Sequence, residues 1–431
     1  MATERSGTEA GAGGFAVEGS TITEPEILAK PNVYYQTLRM NDPVHYDPKL
    51  GMYLVSRYED LEKVLRDPIT FSLELGYHKQ WAGDFLEELK EILNRDGGGY
   101  FPDAIMCDPP RHARLRRLMD KAFTAHRIKS LEPEISTIVA DLIENLADKG
   151  RAEAIEEFAI PLTTGFMRAQ LGLGDLATEK IHRWSVAYTS LFGLLQSREE
   201  LLECARQICE LQNYVIDRVR ERQADPREDM ISDLVRARLD DEENPTLTFP
   251  EVVSLTRALI VGGNDTISTA LTNLLLALAT RPEIAKKLRD VAEDDRLLSR
   301  FVEELLRLEP PVRGLSRVTT KEVELGGKQL PAGAHLLVLF ASGNDDEGEF
   351  SCPRQFDMDR SNLGRHLSFG TGIHRCVGQS LARMEIKVAA REIARRVDKI
   401  ELAIPEEEIR YIPSVSMLSI ERLPLIFSRR R

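Results

Sequence analysis

The sequence predicts a mainly α protein in which a large helical domain carries small β-sheets. Two observations lead to this prediction. Between Pro109 and about Leu308, apolar residues recur at the three- and four-residue spacing of amphipathic helices. Short alternating runs, which are typical of strands, occur only before and after this region, and neither an internal repeat nor a clear linker divides the chain.

The N-terminal stretch, residues 1–20, is rich in Gly, Ala, Ser, Thr and Glu and lacks the basic and apolar regions of a secretory signal. We expect it to be a disordered arm, and residues 21–431 to form one domain. The elements predicted next are a strand at Gly51–Ser56, a helix at Arg57–Arg66 and an irregular segment at Phe71–Ile105 with an optional short helix at Phe85–Leu93.

The central region is predicted to be a succession of helices. The first five cover Pro109 to about Phe123, Leu131–Ala147, Ile155–Leu171, Thr178–Leu195 and Arg198–Arg222. Thr248 and Glu251 have the spacing of a capping box, so a long helix is expected to begin there and to run to about Thr280, before Arg281-Pro282. A further helix is expected at Leu297–Leu308.

The C-terminal part mixes strands with one helix. Arg317–Leu339 has short alternating runs around Gly326-Gly327, which indicates a hairpin. Gly378–Val397 has helical spacing, and Ile400–Phe427 is expected to form short strands.

Composition narrows the class of protein. The 431 residues carry a net charge of −13, which argues against general affinity for nucleic acids. Five scattered cysteines without a CxxC pair suit a reducing cytoplasm better than a disulfide framework. No uncharged apolar run reaches the ~18 residues of a membrane span, so we expect no membrane insertion.

The most specific motif is Phe369-Gly-Thr-Gly-Ile-His-Arg-Cys-Val-Gly378. A cysteine thiolate that approaches a flat ligand needs a thin backbone before it, which Gly370 and Gly372 provide. It also gains from the N-terminus of the helix that starts at Gly378. Taken alone, Cys376 would more often be a structural cysteine beside a glycine-rich turn, but the ten-residue pattern favours the ligand.

A second motif, Gly262-Gly-Asn-Asp-Thr266, lies inside the long predicted helix. Two glycines within a helix each cost ~1 kcal/mol relative to alanine, and a flat ligand packed against the helix would offset that cost. The Thr266 hydroxyl is placed to bond back to the Gly262 carbonyl, four residues earlier. A tight helix crossing would explain the two glycines equally well, and a core hydroxyl would explain the threonine.

Two further motifs are less specific. Glu304-Leu-Leu-Arg307 places a carboxylate and a guanidinium on one helix face, a spacing that is common by chance. His112 and Arg116 also share a helix face, within Asp108-Pro-Pro-Arg-His-Ala-Arg-Leu-Arg-Arg117, where Arg111, Arg114 and Arg117 suit a solvated basic surface.

Together these motifs resemble those of the cytochrome P-450 family, over about residues 40–428. The resemblance implies a haem-thiolate monooxygenase with haem b, in which Cys376 is the iron ligand and Phe369 covers the sulfur. It implies that His112, Arg116, Arg317 and His374 bind the haem propionates and that Gly262 packs against the haem. Asp265 and Thr266 are the implied proton relay. Glu304, Arg307 and Arg360 are implied to form a buried ion cluster that supports the haem.

The resemblance further implies insertion of one atom of dioxygen into a C–H bond of a hydrophobic molecule such as a terpenoid, steroid or aromatic. The implied electron source is NAD(P)H through a ferredoxin reductase and a ferredoxin, which would dock on the basic residues Arg111, Arg114, Arg117, Lys121, Arg127 and Lys129. The implied substrate pocket contains Leu259, Ile260, Val312, Leu315, Met417 and Leu418. We expect a cytoplasmic monomer.

Two other functions stay open at this point. A haem-thiolate sensor would bind ligands without turnover, but it would not need the Asp265-Thr266 pair. A peroxide-driven enzyme is the other alternative, and such relatives tend to lack that pair. Consumption of NAD(P)H coupled to product discriminates among the three.

Overall fold

The computed structural model describes residues 20–123 and 125–430, without the side chains of residues 125–128. The predicted disordered arm therefore lies outside the described residues except for Ser20. The helices are α1 (Pro25–Ala29), α2 (Asn32–Asn41), α3 (Tyr58–Arg66), α4 (Leu73–Gln80), α5 (Leu86–Asp96), α6 (Arg111–Asp120), α7 (Ala125–Lys149), α8 (Ile160–Leu171), α9 (Thr178–Ser190), α10 (Arg198–Ala224), α11 (Met230–Arg236), α12 (Phe249–Thr280), α13 (Pro282–Val291), α14 (Asp295–Leu308), α15 (Phe340–Asn344) and α16 (Gln379–Arg396).

The strands are short. They are β1 (Val44–Asp47), β2 (Met52–Val55), β3 (Phe71–Ser72), β4 (Arg151–Glu153), β5 (Leu315–Thr319), β6 (Val323–Leu325), β7 (Lys328–Leu330), β8 (His335–Val338), β9 (Val397–Leu402) and β10 (Pro424–Arg429). They form a five-stranded sheet in the order β1-β2-β8-β5-β3, a three-stranded sheet in the order β4-β10-β9, and the hairpin β6-β7. The pair β2–β8 is parallel and the other pairs are antiparallel. The predicted mainly α fold with small sheets is confirmed.

The long helix α12 is the centre of the fold. It begins as predicted, because Thr248 and Glu251 form a reciprocal capping box and Pro250 occupies the first turn. It contacts α8, α9, α10, α13, α16 and β9. Most of its residues are buried, so it runs through the protein rather than along its surface. No helix of the described chain combines the length and apolar character needed to cross a bilayer.

The irregular segment predicted at Phe71–Ile105 is wrong at its beginning, where β3 and α4 form. Helix α4 begins there because the Ser72 hydroxyl caps it, accepting from the Leu75 amide at 3.0 Å. Its apolar spacing is weak because the buried face includes Gly76 and Gln80, whereas Leu75 is 49% exposed. A Cβ on Gly76 would lie 2.6 Å from the Arg317 backbone. The optional second helix is confirmed as α5, which buries Leu89 and Leu93.

Candidate functional site

A largely apolar cavity of about 340 Å³ lies between α12 and the loop that precedes α16. Every cofactor-binding residue that the sequence predicts borders this one cavity, namely His112, Arg116, Gly262, Arg317, Phe369, His374 and Cys376. Residues that are up to 264 positions apart in the sequence, from His112 to Cys376, are thus brought together by the fold.

The loop before α16 presents the Cys376 sulfur to the cavity. Gly370 and Gly372 adopt positive φ angles of 63° and 73°, as the motif predicts. A Cβ on Gly372 would lie 2.4 Å from the Leu65 carbonyl oxygen, so this turn leaves no room for a side chain. The Cys376 amide closes the loop by donating to the Phe369 carbonyl at 2.9 Å.

The sulfur is open to the cavity but otherwise enclosed by protein. This burial raises the pKa of the Cys376 thiol, while hydrogen bonds from the Gly378 and Gln379 amides and the positive charges of Arg116 and Arg383 lower it. Those amides belong to the N-terminus of α16, where the helix dipole favours an anion. The effect of burial is the largest of these, so a metal cation bound in the cavity would be what holds the sulfur as a thiolate.

One edge of the cavity carries a group of nitrogen donors, most of which lack an acid partner. The His112 and His374 rings lie 4.2 Å apart, and the Nε2 atom of each is buried without a hydrogen-bond partner in the described chain. Burial, together with the positive charges of Arg317 and Arg116, lowers the pKa of His374 to about 3. Burial lowers the pKa of Arg317 to about 10, and its guanidinium donates to the Ser316 carbonyl at 2.7 Å but forms no ion pair with any described residue. On this edge, His112, His374 and Arg317 therefore have no described acid within ion-pair distance, whereas Arg116 pairs with Asp120 at 2.9 Å.

These features fit haem b. A flat apolar ring with two carboxylates at one edge would supply acceptors to His112, His374 and Arg317, and a further one to Arg116 beside its pair with Asp120. The open space at Gly262, where an added Cβ meets nothing within 4 Å, leaves room for the ring beside α12. The Cys376 sulfur faces the same cavity, as an axial ligand must.

The two glycines of α12 have different structural reasons. Gly262 faces the cavity, whereas a Cβ on Gly263 would lie 2.7 Å from the Met167 sulfur of α8. The flat ligand and the tight helix crossing are therefore both present, one at each glycine. The Thr266 hydroxyl donates to the Gly262 carbonyl at 2.6 Å, which confirms that predicted bond and leaves the hydroxyl oxygen facing the cavity.

Asp265 faces away from Thr266. Its carboxylate accepts a hydrogen bond from the Thr189 hydroxyl at 2.6 Å and borders a second, polar cavity of about 120 Å³ that also contains His182. Burial raises the pKa of Asp265, while the Thr189 bond and His182 lower it. Adjacent residues of a helix point about 100° apart, so the predicted acid–alcohol pair opens onto two different cavities.

The ion cluster implied by the family resemblance is present and fully buried. Glu304 accepts from the Arg307 Nε at 2.8 Å, the Arg360 Nε at 3.1 Å and the Asp357 amide at 2.9 Å. Arg307 also donates to the Asn344 carbonyl at 2.7 Å and the Pro353 carbonyl at 2.5 Å. Each charged atom has a partner, which a buried ion pair requires to be stable.

The pocket residues implied by resemblance are placed in three ways. Leu259, Val312 and Leu315 border the apolar cavity, whereas Ile260 and Leu418 lie outside its lining and Met417 borders the polar cavity instead. Ile260 follows Leu259 on α12, so it points into the core, where it is fully buried. Met417 pairs with Val312 through an isolated bridge, and the two residues border different cavities.

Sequence reasoning missed several residues of the site. The apolar lining also includes Met106, two residues before the motif that contains His112, and Met230, which lies in no motif. The Asn344 side chain holds the loop before Cys376 in place, accepting from the Leu367 amide at 2.6 Å and donating to the Ser368 hydroxyl at 2.9 Å. The sequence predicts no element at Asn344, because the run that is expected to form strands ends at Leu339 and the short helix α15 was not predicted.

A buried acid on α16 was also missed. Glu385 borders the apolar cavity, is 1% exposed, and its Oε2 atom has no partner in the described chain. Burial raises the pKa of its carboxyl well above the ordinary value.

Comparison with known proteins gives one consistent result. The family model for cytochrome P450 matches residues 161–414. The chain is 33% identical over 370 residues to the cyclomarin C epoxidase of Salinispora arenicola, covering 86% of this chain and 89% of that protein. It is 32% identical to the mycinamicin IV hydroxylase/epoxidase of Micromonospora griseorubida, covering 91% and 94%.

The fold agrees. The structure of the cytochrome P450 CYP109Q5 from Chondromyces apiculatus superposes with a TM-score of 0.81 at 33% identity, covering 95% of this chain and 98% of that one.

Proposed function

The chain belongs to the cytochrome P450 family, and on that premise we propose that it hydroxylates a hydrophobic small molecule. It is an oxidoreductase of the monooxygenase class and binds thiolate-ligated haem b. The observation that carries the proposal is the apolar cavity that holds the Cys376 sulfur, the propionate donors and the Thr266 hydroxyl together.

Each part of the cavity has a proposed role. Cys376 ligates the haem iron, Phe369 shields the sulfur, and His112, Arg116, Arg317 and His374 bind the propionates. When bound, the haem supplies the activation of dioxygen and its insertion into a C–H bond. The ion cluster of Glu304, Arg307 and Arg360 supports the loop that carries Cys376.

The substrate is proposed to be apolar because Leu259, Val312, Leu315 and Met167 line the cavity with hydrocarbon and thioether surface. A terpenoid, a steroid or an aromatic compound would fill such a space without leaving a buried polar group unpaired. Thr266 is the polar side chain that α12 presents to it, and its hydroxyl is proposed to pass protons during oxygen reduction.

Electrons are proposed to come from NAD(P)H through a ferredoxin reductase and an acidic ferredoxin that docks beside α6. This helix adjoins the cysteine loop, because Arg116 donates to the Arg375 carbonyl at 2.5 Å. Of the predicted basic residues, Arg114 pairs with Glu251 and Arg117 with Asp241 and Glu242, so their charge is largely neutralised.

Three of the predicted docking residues, Arg111, Lys121 and Lys129, are exposed and form no ion pair within the described chain. The side chain of Arg127 lies outside the described residues. Lys121→Glu is expected to slow reduction by ferredoxin by ~10-fold or more at low salt, with a smaller effect at high salt. Lys49→Glu, an equally exposed change in the β1–β2 turn, is the control.

The test of the function is reconstitution of the purified holoprotein with a ferredoxin, its reductase, NAD(P)H and dioxygen over a panel of terpenoids, steroids and aromatics. The proposal predicts a product that is one oxygen atom heavier than its substrate, formed in proportion to the NAD(P)H consumed. Ligand-induced spectral changes without product would favour a haem-thiolate sensor. Product formed only with added peroxide would favour a peroxide-driven enzyme.

A further inference from the structure

Helix α14 carries two adjacent acids that serve different partners. Glu304 belongs to the ion cluster, whereas the Glu303 carboxylate binds both Arg383 of α16 and His366 of the segment that leads to the cysteine loop. Adjacent residues of a helix point about 100° apart, so the two acids serve separate sites. Glu303, Arg383 and His366 form a second polar group beside the cysteine loop, the Glu303 clamp.

The hydrogen bonds of Arg383 fix the plane of its guanidinium. Its Nε donates to the Glu303 Oε1 at 2.5 Å and its Nη2 to the Glu303 Oε2 at 2.9 Å, which is the fork geometry of a bidentate pair. Its Nη1 donates to the Gln379 side chain at 2.9 Å. The backbone amide of the same Gln379 donates to the Cys376 sulfur, so the clamp adjoins the sulfur on this side.

His366 completes the clamp as a neutral donor. The Ser368 amide points at its Nδ1 atom at 3.3 Å, and the Ser368 hydroxyl gives its own proton to the Leu306 carbonyl at 2.7 Å. Nδ1 is therefore an acceptor, and the ring proton lies on Nε2, which donates to Glu303 at 2.9 Å. Burial lowers the pKa of His366 against the raising effect of Glu303, in keeping with a neutral ring.

The clamp is balanced in charge. Burial would raise the pKa of Glu303, but the hydrogen bonds from His366 and Arg383 outweigh it and lower this pKa to about 2. One carboxylate therefore faces one guanidinium and one neutral imidazole.

Both partners of Glu303 contact the Phe369 ring. The Arg383 guanidinium lies 4.3 Å from the ring centroid, within the range of a cation–π contact, and the His366 ring centroid lies 6.0 Å away. The Phe369 carbonyl accepts from the Cys376 amide at 2.9 Å, and both residues border the apolar cavity. A single carboxylate on α14 thus holds, through two side chains, the aromatic ring that belongs to the same turn as the sulfur.

We propose that Arg383 is a positioning residue for the haem ligand: stacked on Phe369 and held by Glu303, it keeps the Phe369 ring over the Cys376 sulfur and keeps water away from it. His366 supports the same arrangement through Glu303. The proposal rests on the proposed ligation of haem iron by Cys376. Hydrogen bonding and solvent exposure at the ligand tune the reduction potential of a haem, so the clamp sets that potential.

A direct effect of the Arg383 charge on the sulfur is the alternative. The Glu303 carboxylate, 2.5 Å away, neutralises much of that charge, whereas the stacking contact with Phe369 is a matter of geometry. The two explanations therefore differ in whether the effect of Arg383 needs the Phe369 ring.

The first measurement is the reduction potential of the Arg383→Lys holoprotein, because lysine keeps the charge but loses the planar fork. A ring that is no longer held admits water to the sulfur, and a hydrogen bond from water to the sulfur favours the ferrous state, so the potential should rise. The equilibrium constant for reduction should increase ~2- to 30-fold, the range of a cation–π contact, which is ~20–90 mV at ~59 mV per tenfold. An unchanged potential in the folded variant would overturn the proposal.

The second measurement repeats the substitution in a Phe369→Leu background. If Arg383 acts through the ring, Arg383→Lys should there change the equilibrium constant by less than ~1.5-fold. A shift that persists undiminished would mean that Arg383 acts without the ring, and would overturn the positioning role. Arg391→Lys is the matched control, because Arg391 lies about two turns further along α16 and pairs with Asp295 at 2.8 Å. It should keep the wild-type potential, and a shift equal to that of Arg383→Lys would also overturn the proposal.

His366→Leu provides an independent variant if Arg383→Lys does not fold. It exchanges one neutral side chain for another, removes a hydrogen bond that holds Glu303, and should raise the potential in the same direction. A wild-type potential in this folded variant would overturn the clamp and leave the ligation by Cys376 intact. A wild type whose reduced carbon monoxide complex absorbs at about 420 nm would overturn the ligation and the clamp together.

Discussion

Glu304→Gln is the sharpest test of how the fold supports the haem site. The change keeps the shape of the side chain but removes the negative charge between two guanidiniums, those of Arg307 and Arg360, which are 0% and 6% exposed. It also replaces one acceptor oxygen by an NH₂ group, so at least one of four hydrogen bonds to this carboxylate becomes a contact between donors.

The magnitude follows from the burial of the cluster. Removing one partner of a buried ion pair costs ~3–5 kcal/mol, because a buried charge is left uncompensated. Unfolding entropy of ~2.1 cal/mol/K per residue gives ~0.9 kcal/mol/K for a chain of 431 residues, so Tm should fall by ~3–6 °C. Haem occupancy should fall as well, since Arg307 also ties down Asn344, which holds the cysteine loop.

The assay is thermal unfolding of the holoprotein by circular dichroism, with haem content measured from the Soret absorbance. Glu87→Gln is the matched control, because Glu87 pairs with Lys90 at 2.7 Å on the surface, with 81% of its side chain exposed. That variant should change Tm by less than ~1 °C. If Glu304→Gln unfolds within ~1 °C of Glu87→Gln and keeps its haem, the supporting role of the cluster is refuted.

Three further predictions follow from single sites. Gly263→Ala should destabilise even the haem-free protein by ~1–3 kcal/mol, because its Cβ would lie 2.7 Å from the Met167 sulfur. Gly262→Ala should weaken haem binding alone, because its Cβ meets no protein atom within 4 Å. Urea unfolding measures the first effect and haem titration the second. Glu385→Gln should flatten the pH dependence of the free energy of unfolding. Because the folded-state pKa of Glu385 is raised, the wild type should lose up to ~1.4 kcal/mol of stability per pH unit once the pH exceeds the unfolded-state pKa of ~4.3. A parallel loss in the variant would contradict this. Thr266→Ala should divert electrons from product to peroxide by ~10-fold or more, measured as product per NAD(P)H, and an unchanged ratio would exclude a proton role for its hydroxyl.

Local motifs made part of this site predictable from sequence. The bend before Cys376 needs glycine at two positive φ angles, and the N-terminal cap of α12 needs Thr248 and Glu251. Each of these features is therefore determined by a few adjacent residues. The bond from Thr266 to Gly262 is equally local, because a helix places those atoms together by its own geometry.

Features that depend on the packing of distant segments were not predictable. The direction of Asp265 is decided by Thr189, which lies 76 residues away on another helix. The need for Gly263 comes from Met167 on α8, and a single sequence contains no signal that joins the two. The substrate-pocket residues were partly misassigned for the same reason, since one step along α12 separates Leu259 in the cavity from Ile260 in the core.

The carbon monoxide difference spectrum of the reduced, purified protein shows whether the Cys376 thiolate ligates the haem iron. We expect a Soret band at about 450 nm that is lost in Cys376→Ser and kept in Cys352→Ser, which changes the other exposed cysteine. A band at about 420 nm in well-folded wild-type protein, or a band at about 450 nm that survives Cys376→Ser, would contradict it.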